Sequence, residues 1–407
     1  MRILIPVFSP PTGALGPHTR TLALGCKASE FGHDVAFCAI KKNQHVITQQ
    51  NFKVYTVPEP TFLGLPKHLS RFIGKRIGRQ TLPIRSGKSV GSIWLVLFLT
   101  GMAKPGYLED LVGTQLEAVK DFKPNAIFTE LDPSAYLVSE ITGIPLITTF
   151  ASVAHKGIGS FAYRKMSKRA NQILTSYGKK AKPLSELCFG SKILKIIPSI
   201  PELDGADPSR PDVRYVGHLL KNTKRLDSRP VGLALQKKYV FAYFGTGSVR
   251  FDIVKRVLPQ VFDNNSLYHC IVASEEVHSK CTIGSVTFVN YIPAHNLLPY
   301  CAWTICHGGH NTIVQSILNK VPLIIFPGAV FERRFNARMV EESGCGVMGE
   351  ISDFSKGWIE NKLHTQHKFS KKVELLYQKF TSYDGAKTAI KAIEEFCLKN
   401  NSLGTIS

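Results

Sequence analysis

Two α/β domains, each wound on a parallel sheet and facing the other across a cleft, are predicted by three observations. The chain has 407 residues, too many for one ordinary hydrophobic core. Short β-rich apolar runs alternate with amphipathic helical stretches in both halves, the βαβ rhythm of a doubly wound sheet. A stretch rich in Pro, Asp, Ser and Gly, spanning about 200 to 232, reads as a linker between the halves and places the domains at 1–217 and 218–407.

The elements follow in order. "MRILIPVF" opens as a strand. "HTRTLALGCKASEF" has Leu22 and Cys26, and Ala23 and Lys27, at helical spacing, with Gly32 as its stop. "HDVAFCAI", "NAIFTE" and "IPLITTFAS" read as strands, separated by the helices "LEDLVGTQLEAVKDF" and "SAYLVSEIT". Past the linker, "KYVFAYFGTGS" is a strand ending in a Gly-rich turn, and "LYHCIVAS", "VTFVNYI", "AWTICH" and "VPLIIFPG" are further strands. "TIVQSILNK" and "ERRFNARMVEESG" are helices, and "FSKKVELLYQKF" and "GAKTAIKAIEEFCLK" close the chain as helices, the last expected to pack back on the first domain. Ligands of such folds sit outside the carboxyl ends of the strands.

Composition excludes several classes. With 44% hydrophobic and 20% charged residues the chain reads as a soluble globular protein. Its nine cysteines form no C-x-x-C pair, which points to free thiols in a reducing compartment rather than a zinc or redox framework. No signal-peptide pattern opens the sequence, and the longest apolar run, "IWLVLFLTGM", is far short of the ~20 residues of a spanning helix, so a cytoplasmic location is expected. The net charge of +21 fits nucleic acid, an anionic membrane surface, an acidic substrate, or simply a solvated surface. Much of it lies in two runs, Pro66 to Ser89 and the stretch from Tyr163. No RNP, zinc-finger or basic-zipper pattern accompanies them, which disfavours nucleic acid. The basic run beside "IWLVLFLTGM" fits peripheral contact with the inner face of a membrane; a core helix beside a solvated loop is the plainer reading. "SGKS" at Ser86 to Ser89 lacks the first glycine of a phosphate loop, and "HTQHK" reads as a solvated helix face rather than a metal site.

The most informative stretch is "TICHGGHNTIVQSI". A strand, a turn with two glycines and a helix bring free N–H groups and a positive dipole end to one point, an anion site suited to a diphosphate. His307, Asn311 and Thr312 can add donors. The competing reading is an ordinary turn with Asn311 or Thr312 as a side-chain N-cap.

"VNYIPAHNLLPYCAWTICHGGHNT" and "VPLIIFPGAVFERRFNARMVEESGCGV" together resemble the nucleotide-sugar segment of the GT-B glycosyltransferases of the UDP-glucuronosyltransferase and macrolide glycosyltransferase group. "GALGPHTRTLALGCKASEFGHDVAF" is similar to that group's amino-terminal loop and helix; the middle of the first half shows little match. The resemblance implies two Rossmann-like domains. Tyr291, with Ile292 beside it, would stack on the base, and His307, Gly308, Gly309, Asn311 and Thr312 would hold the diphosphate. Gln315 stands where the group has a ribose-binding Glu, and Glu332 and Arg333 where it has Asp-Gln against the sugar. Gly16, Gly245, Thr246 and Ser248 would line the donor cleft. The group's catalytic His falls on Pro17 and its orienting Asp on Glu130. A shifted turn is expected to let His18 act as base with Glu130 or Asp132 behind it; the rival is that another group serves.

The implied activity is inverting transfer of a sugar from a UDP- or dTDP-sugar co-substrate to a hydroxyl of a hydrophobic or anionic small molecule, such as a natural-product aglycone. No metal and no other cofactor is implied. A lipid acceptor at the membrane surface, a non-catalytic binding partner and a sugar-nucleotide epimerase on the same architecture are the alternatives.

Overall fold

The computed structural model describes residues 1–9, 16–70, 72–73, 89, 91–219, 238–245, 248–263 and 267–403. Two seven-stranded sheets organise the chain. The first comprises β1 (Arg2–Pro6), β2 (Asp34–Ile40), β3 (Lys53–Val57), β4 (Ala126–Thr129), β5 (Leu146–Thr149), β6 (Leu194–Ile197) and β7 (Val213–Tyr215), in the order β3-β2-β1-β4-β5-β6-β7 and parallel throughout. Its central strands are buried on both faces, so Ile3, Leu4 and Ile5 run as continuous apolar sequence instead of alternating.

The second sheet comprises β8 (Lys238–Tyr243), β9 (Tyr268–Ala273), β10 (Cys281–Ile283), β11 (Val286–Val289), β12 (Cys301–Cys306), β13 (Leu323–Ile325) and β14 (Gly346–Met348). Its order is β10-β11-β9-β8-β12-β13-β14, and only the edge strand β10 is antiparallel.

Two expectations change. Much of the stretch read as a linker belongs to the first domain. Pro201–Asp204 is a short helix with proline in its first turn and Gly205 as its left-handed cap, and Val213–Tyr215 is the edge strand. The polar composition there serves turns and a buried ion pair, in which Lys195 Nζ lies 2.5 Å from Asp212 Oδ2. Second, the strand read through "VTFVNYI" stops at Val289, which leaves Tyr291 and Ile292 in the loop beyond it.

"IWLVLFLTGM" supplies the helix Ile93–Leu99, with Trp94, Leu97 and Met102 buried in the first core. Most of the basic run before it lies outside the described residues. No helix among the described residues is long and apolar enough to cross a membrane.

The domains share apolar contacts. The final helix, Gly385–Leu403, returns to the first sheet, where Ala389, Ile390, Ile393 and Cys397 pack in one cluster with Ile3, Leu24, Ala28 and Leu194. Ile200 and Leu203 of the first domain pack with Ile313, Ile317, Leu323 and Phe380 of the second. Each such aliphatic side chain contributes about 1.5–3 kcal/mol when fully buried.

Candidate active site in the interdomain cleft

β12 ends at Cys306, and the helix His310–Leu318 begins four residues later. Gly308 takes φ +85°, and a Cβ there would lie 2.9 Å from the Arg333 carbonyl oxygen and 3.1 Å from Ile325 Cγ2. Only glycine meets both demands. The turn is also tied from outside, since Asn336 Nδ2 donates to the Gly308 carbonyl at 2.9 Å. Gly309 is the N-cap and supplies no side-chain acceptor, which sets aside the reading of Asn311 or Thr312 as cap. The helix therefore presents an amino end without side-chain capping, and its first N–H groups can receive an anion. Thr312 and Gln315 lie half-buried on this helix.

His307 stands behind the turn, about nine-tenths buried. Its Nδ1 lies 3.3 Å from the Tyr243 carbonyl oxygen, to which it donates. Burial holds its pKa down to about 3, with Arg333 adding to the depression, so the ring is neutral. A neutral ring with the proton on Nδ1 has only an acceptor at Nε2. This corrects the expectation that His307 adds a donor: it shapes the turn, pressed against Gly309, where a Cβ would fall 2.6 Å from Nε2.

Around this point lie other predicted donor-side residues. Gly245 closes β8 against the His307 ring. Thr246 lies outside the described residues. The Ser248 hydroxyl is buried and finds no partner among the described residues. Tyr291 is 76% exposed, the most exposed of the large apolar side chains among the described residues. Ile292 is partly buried beneath the same loop, against Leu297 and Leu298. Tyr243, which the sequence did not single out, sets its ring edge-on to His307 with centroids 5.5 Å apart. Glu332 is exposed and Arg333 half-buried at the start of the helix Phe331–Glu342.

The opposite wall comes from the first domain. The helix Gly16–Glu30 starts at Gly16, which puts His18 in its first turn. His18 Nε2 lies 2.8 Å from Asn43 Nδ2 and 3.0 Å from Ser9 Oγ. The Asn43 amide donates to it, so Nε2 is the basic nitrogen. Burial lowers the His18 pKa, and the charge of Glu130 opposes that only in part. The ring is thus neutral at neutral pH.

Neither expected carboxylate hydrogen-bonds to it. Glu130 is taken by Arg20, whose Nε lies 3.0 Å from Oε2 while its Nη2 bonds Oε1. Asp132 is buried as the N-cap of the helix Pro133–Thr142, accepting from the Ser134 N–H at 3.0 Å and its hydroxyl at 2.6 Å, and from Gln115 at 3.2 Å. The pairing of His18 with Glu130 or Asp132 is therefore replaced by Ser9 and Asn43.

Side-chain bonds cross between the walls. Arg20 Nη1 donates to Asn311 Oδ1 at 3.1 Å, and His310 Nε2 donates to the Pro198 carbonyl at 2.8 Å. Burial holds the His310 pKa down to about 4, with Arg20 adding to it, so this link is a neutral one. Ser9, Arg20, Asn43 and His310 were not candidates from sequence. No group of three or more potential metal ligands occurs among the described residues.

Two facing doubly wound domains with a glycine-turned helix end at the cleft are the architecture of the GT-B glycosyltransferases. Over residues 257–367 the chain matches the family model described as "Erythromycin biosynthesis protein CIII-like, C-terminal domain". It is 23% identical over 400 residues to an uncharacterized glycosyltransferase of Methanosarcina acetivorans, covering 94% of this chain and 95% of that one. Over 63 residues it is 33% identical to the aclacinomycin-T 2-deoxy-L-fucose transferase of Streptomyces galilaeus, which is 16% of this chain and 14% of the other. Among solved structures, the glycotransferase of kitacinnamycin superposes with a TM-score of 0.73 at 14% identity, covering 97% and 98% of the two chains. The glycosyltransferase VinC, solved in complex with dTDP, gives 0.68 at 16% identity, covering 98% and 100%. The solved structures show the GT-B architecture, and the matched segment and relatives support a glycosyltransferase.

Proposed function

We propose that the protein transfers a sugar, with inversion, from a UDP- or dTDP-sugar to a hydroxyl of a hydrophobic or anionic small molecule. The observation that carries this reading is the amino end of His310–Leu318, without a side-chain cap and turned by Gly308 and Gly309, with the exposed Tyr291 ring on the same domain. Tyr291 stacks on the base. The diphosphate lies on the helix end, where the dipole and free N–H groups stabilise the charge that grows as it leaves. The buried Ser248 hydroxyl is a further donor in want of a partner. Gln315 and Glu332 receive ribose and sugar hydroxyls, Glu332 with charge assistance.

Once the Asn43 amide releases the lone pair of His18 Nε2, that nitrogen takes the acceptor proton as the acceptor oxygen bonds to the anomeric carbon and the bond to the diphosphate breaks on the opposite face. The Ser9 hydroxyl at 3.0 Å marks the distance from which a hydroxyl reaches that nitrogen. The exposed Phe161 ring, edge-on to Phe98 of the helix Ile93–Leu99, gives the first domain apolar surface suited to such an acceptor.

The test is incubation with UDP- and dTDP-sugars and a panel of phenolic, polyketide and lipid acceptors, read as nucleotide release and product mass. Transfer product supports the reading; an isomerised donor or binding without turnover overturns it. Tyr291→Ala is expected to weaken nucleoside diphosphate binding about 5–100-fold through lost stacking, with the melting temperature unchanged because the side chain is exposed. Calorimetric titration measures it, and unchanged affinity would remove Tyr291 from the donor site.

A further inference from the structure

Arg20 is placed against electrostatic expectation. A helix amino end carries positive partial charge and repels cations. Yet Arg20 Nη1 reaches from the first domain to Asn311 Oδ1, 3.1 Å away, in the first turn of His310–Leu318. Its side chain is only 15% exposed, so water screens the repulsion poorly. Glu130 offsets the charge but grips the guanidinium through Nε and Nη2, leaving Nη1 directed at the helix. Two positive features thus converge on one point, and an anion placed there relieves both.

We infer that Arg20 is a donor-binding residue, a guanidinium that Glu130 holds across the cleft to meet the diphosphate at the amino end of His310–Leu318. In the loaded enzyme Nη1 exchanges Asn311 Oδ1 for a phosphate oxygen, and Asn311 turns its amide N–H₂ to the same group. Glu130 is then the positioning residue of this arginine, which gives a physical reason why it does not stand behind His18. The first domain reads the donor's charge, so phosphate binding and apposition of the two walls are one event. A nucleoside without phosphates has nothing for Arg20 to grip.

The inference rests on the donor reading above, and the experiment separates the two. UDP, dTDP and the free nucleosides uridine and thymidine are titrated calorimetrically into the wild type, Arg20→Ala, Arg20→Lys and Glu130→Gln. Arg20→Ala is expected to lose about 10–100-fold in diphosphate affinity and nothing in nucleoside affinity. Arg20→Lys recovers part of the loss, because an ammonium keeps the charge without the fork. Glu130→Gln falls between wild type and Arg20→Ala, since the cation stays but is no longer held. The salt dependence of diphosphate binding is flatter in Arg20→Ala than in the wild type.

Wild-type diphosphate affinity in Arg20→Ala overturns the inference alone. Equal losses for nucleoside and diphosphate show a merely structural role and overturn it as well. A wild-type chain that binds neither diphosphate overturns the donor reading and this inference with it. Should Arg20→Ala fail to fold, Arg20→Lys and Glu130→Gln decide, and diphosphate affinity equal to wild type in both overturns the proposal.

Discussion

Replacing His18 by alanine is expected to lower kcat by about 10²–10⁴-fold while donor affinity stays within a few-fold of the wild type, since general-base help acts only as the acceptor proton moves. The pH profile carries the sign. The base works when neutral, so the rate falls as pH drops through the folded-state pKa of His18. Burial sets that value below the ordinary 6.5, against the opposing charge of Glu130. The plateau therefore reaches further into acid than an exposed histidine would allow. Neutralising Glu130 removes the opposing charge and moves the acid limb lower still. Steady-state kcat as a function of pH in both variants checks this. A His18→Ala enzyme with unchanged kcat and unchanged profile would take the residue out of the mechanism.

Gly308→Ala is expected to cut kcat/KM by about 10²-fold. At φ +85° a non-glycine residue costs on the order of 1–3 kcal/mol. The new methyl would also stand 2.9 Å from the Arg333 carbonyl oxygen, a backbone atom with little room to yield. The turn must open, which displaces the helix N–H groups from the diphosphate; shifts of about 1 Å in a reacting group's support cost ~10²-fold. The distinguishing measurement is diphosphate affinity beside thermal unfolding. The loss in binding should exceed what a modest drop in melting temperature explains, and an alanine variant with wild-type affinity would show that the turn has slack.

The cleft wall of the second domain was legible in sequence because it is contiguous. A strand, two glycines and a helix fall within "TICHGGHNTIVQSI", and local chemistry alone sets the helix end. The cleft wall of the first domain was not. Ser9, His18, Asn43 and Glu130 meet only because β1, the first helix, the turn after β2 and the end of β4 converge at the carboxyl ends of neighbouring strands. An asparagine or arginine at such positions carries no periodicity or motif to mark it. His18 stands one place past the position the resemblance gives the base, and the structure gives it Ser9 and Asn43 as partners instead of Glu130 or Asp132. A buried carboxylate close in sequence to the cleft can equally cap a helix, as Asp132 does, or hold an arginine, as Glu130 does. The hydrogen on His307 was likewise invisible before the Tyr243 carbonyl was placed against Nδ1. In the fold, long apolar strands were plain. Of the four three-residue strands, β13 shows within "VPLIIFPG", whereas β7, β10 and β14 are too short to show a pattern of their own, and their neighbours supply the pairing.

The return of Gly385–Leu403 to the first sheet bears on how the molecule comes apart. The backbone passes between halves twice, and the passages are neighbours: Gly217 abuts Tyr383, and Gly385 abuts the His218 carbonyl. A protease cutting between the sheets would sever one strand of a two-stranded tether. The carboxyl-terminal fragment would keep its grip through Ile390 and Ile393, seated among Ile3, Leu24 and Leu194. An amino-terminal half made alone would carry that greasy seat bare and would clump, whereas the two pieces produced together could reassemble without a covalent join.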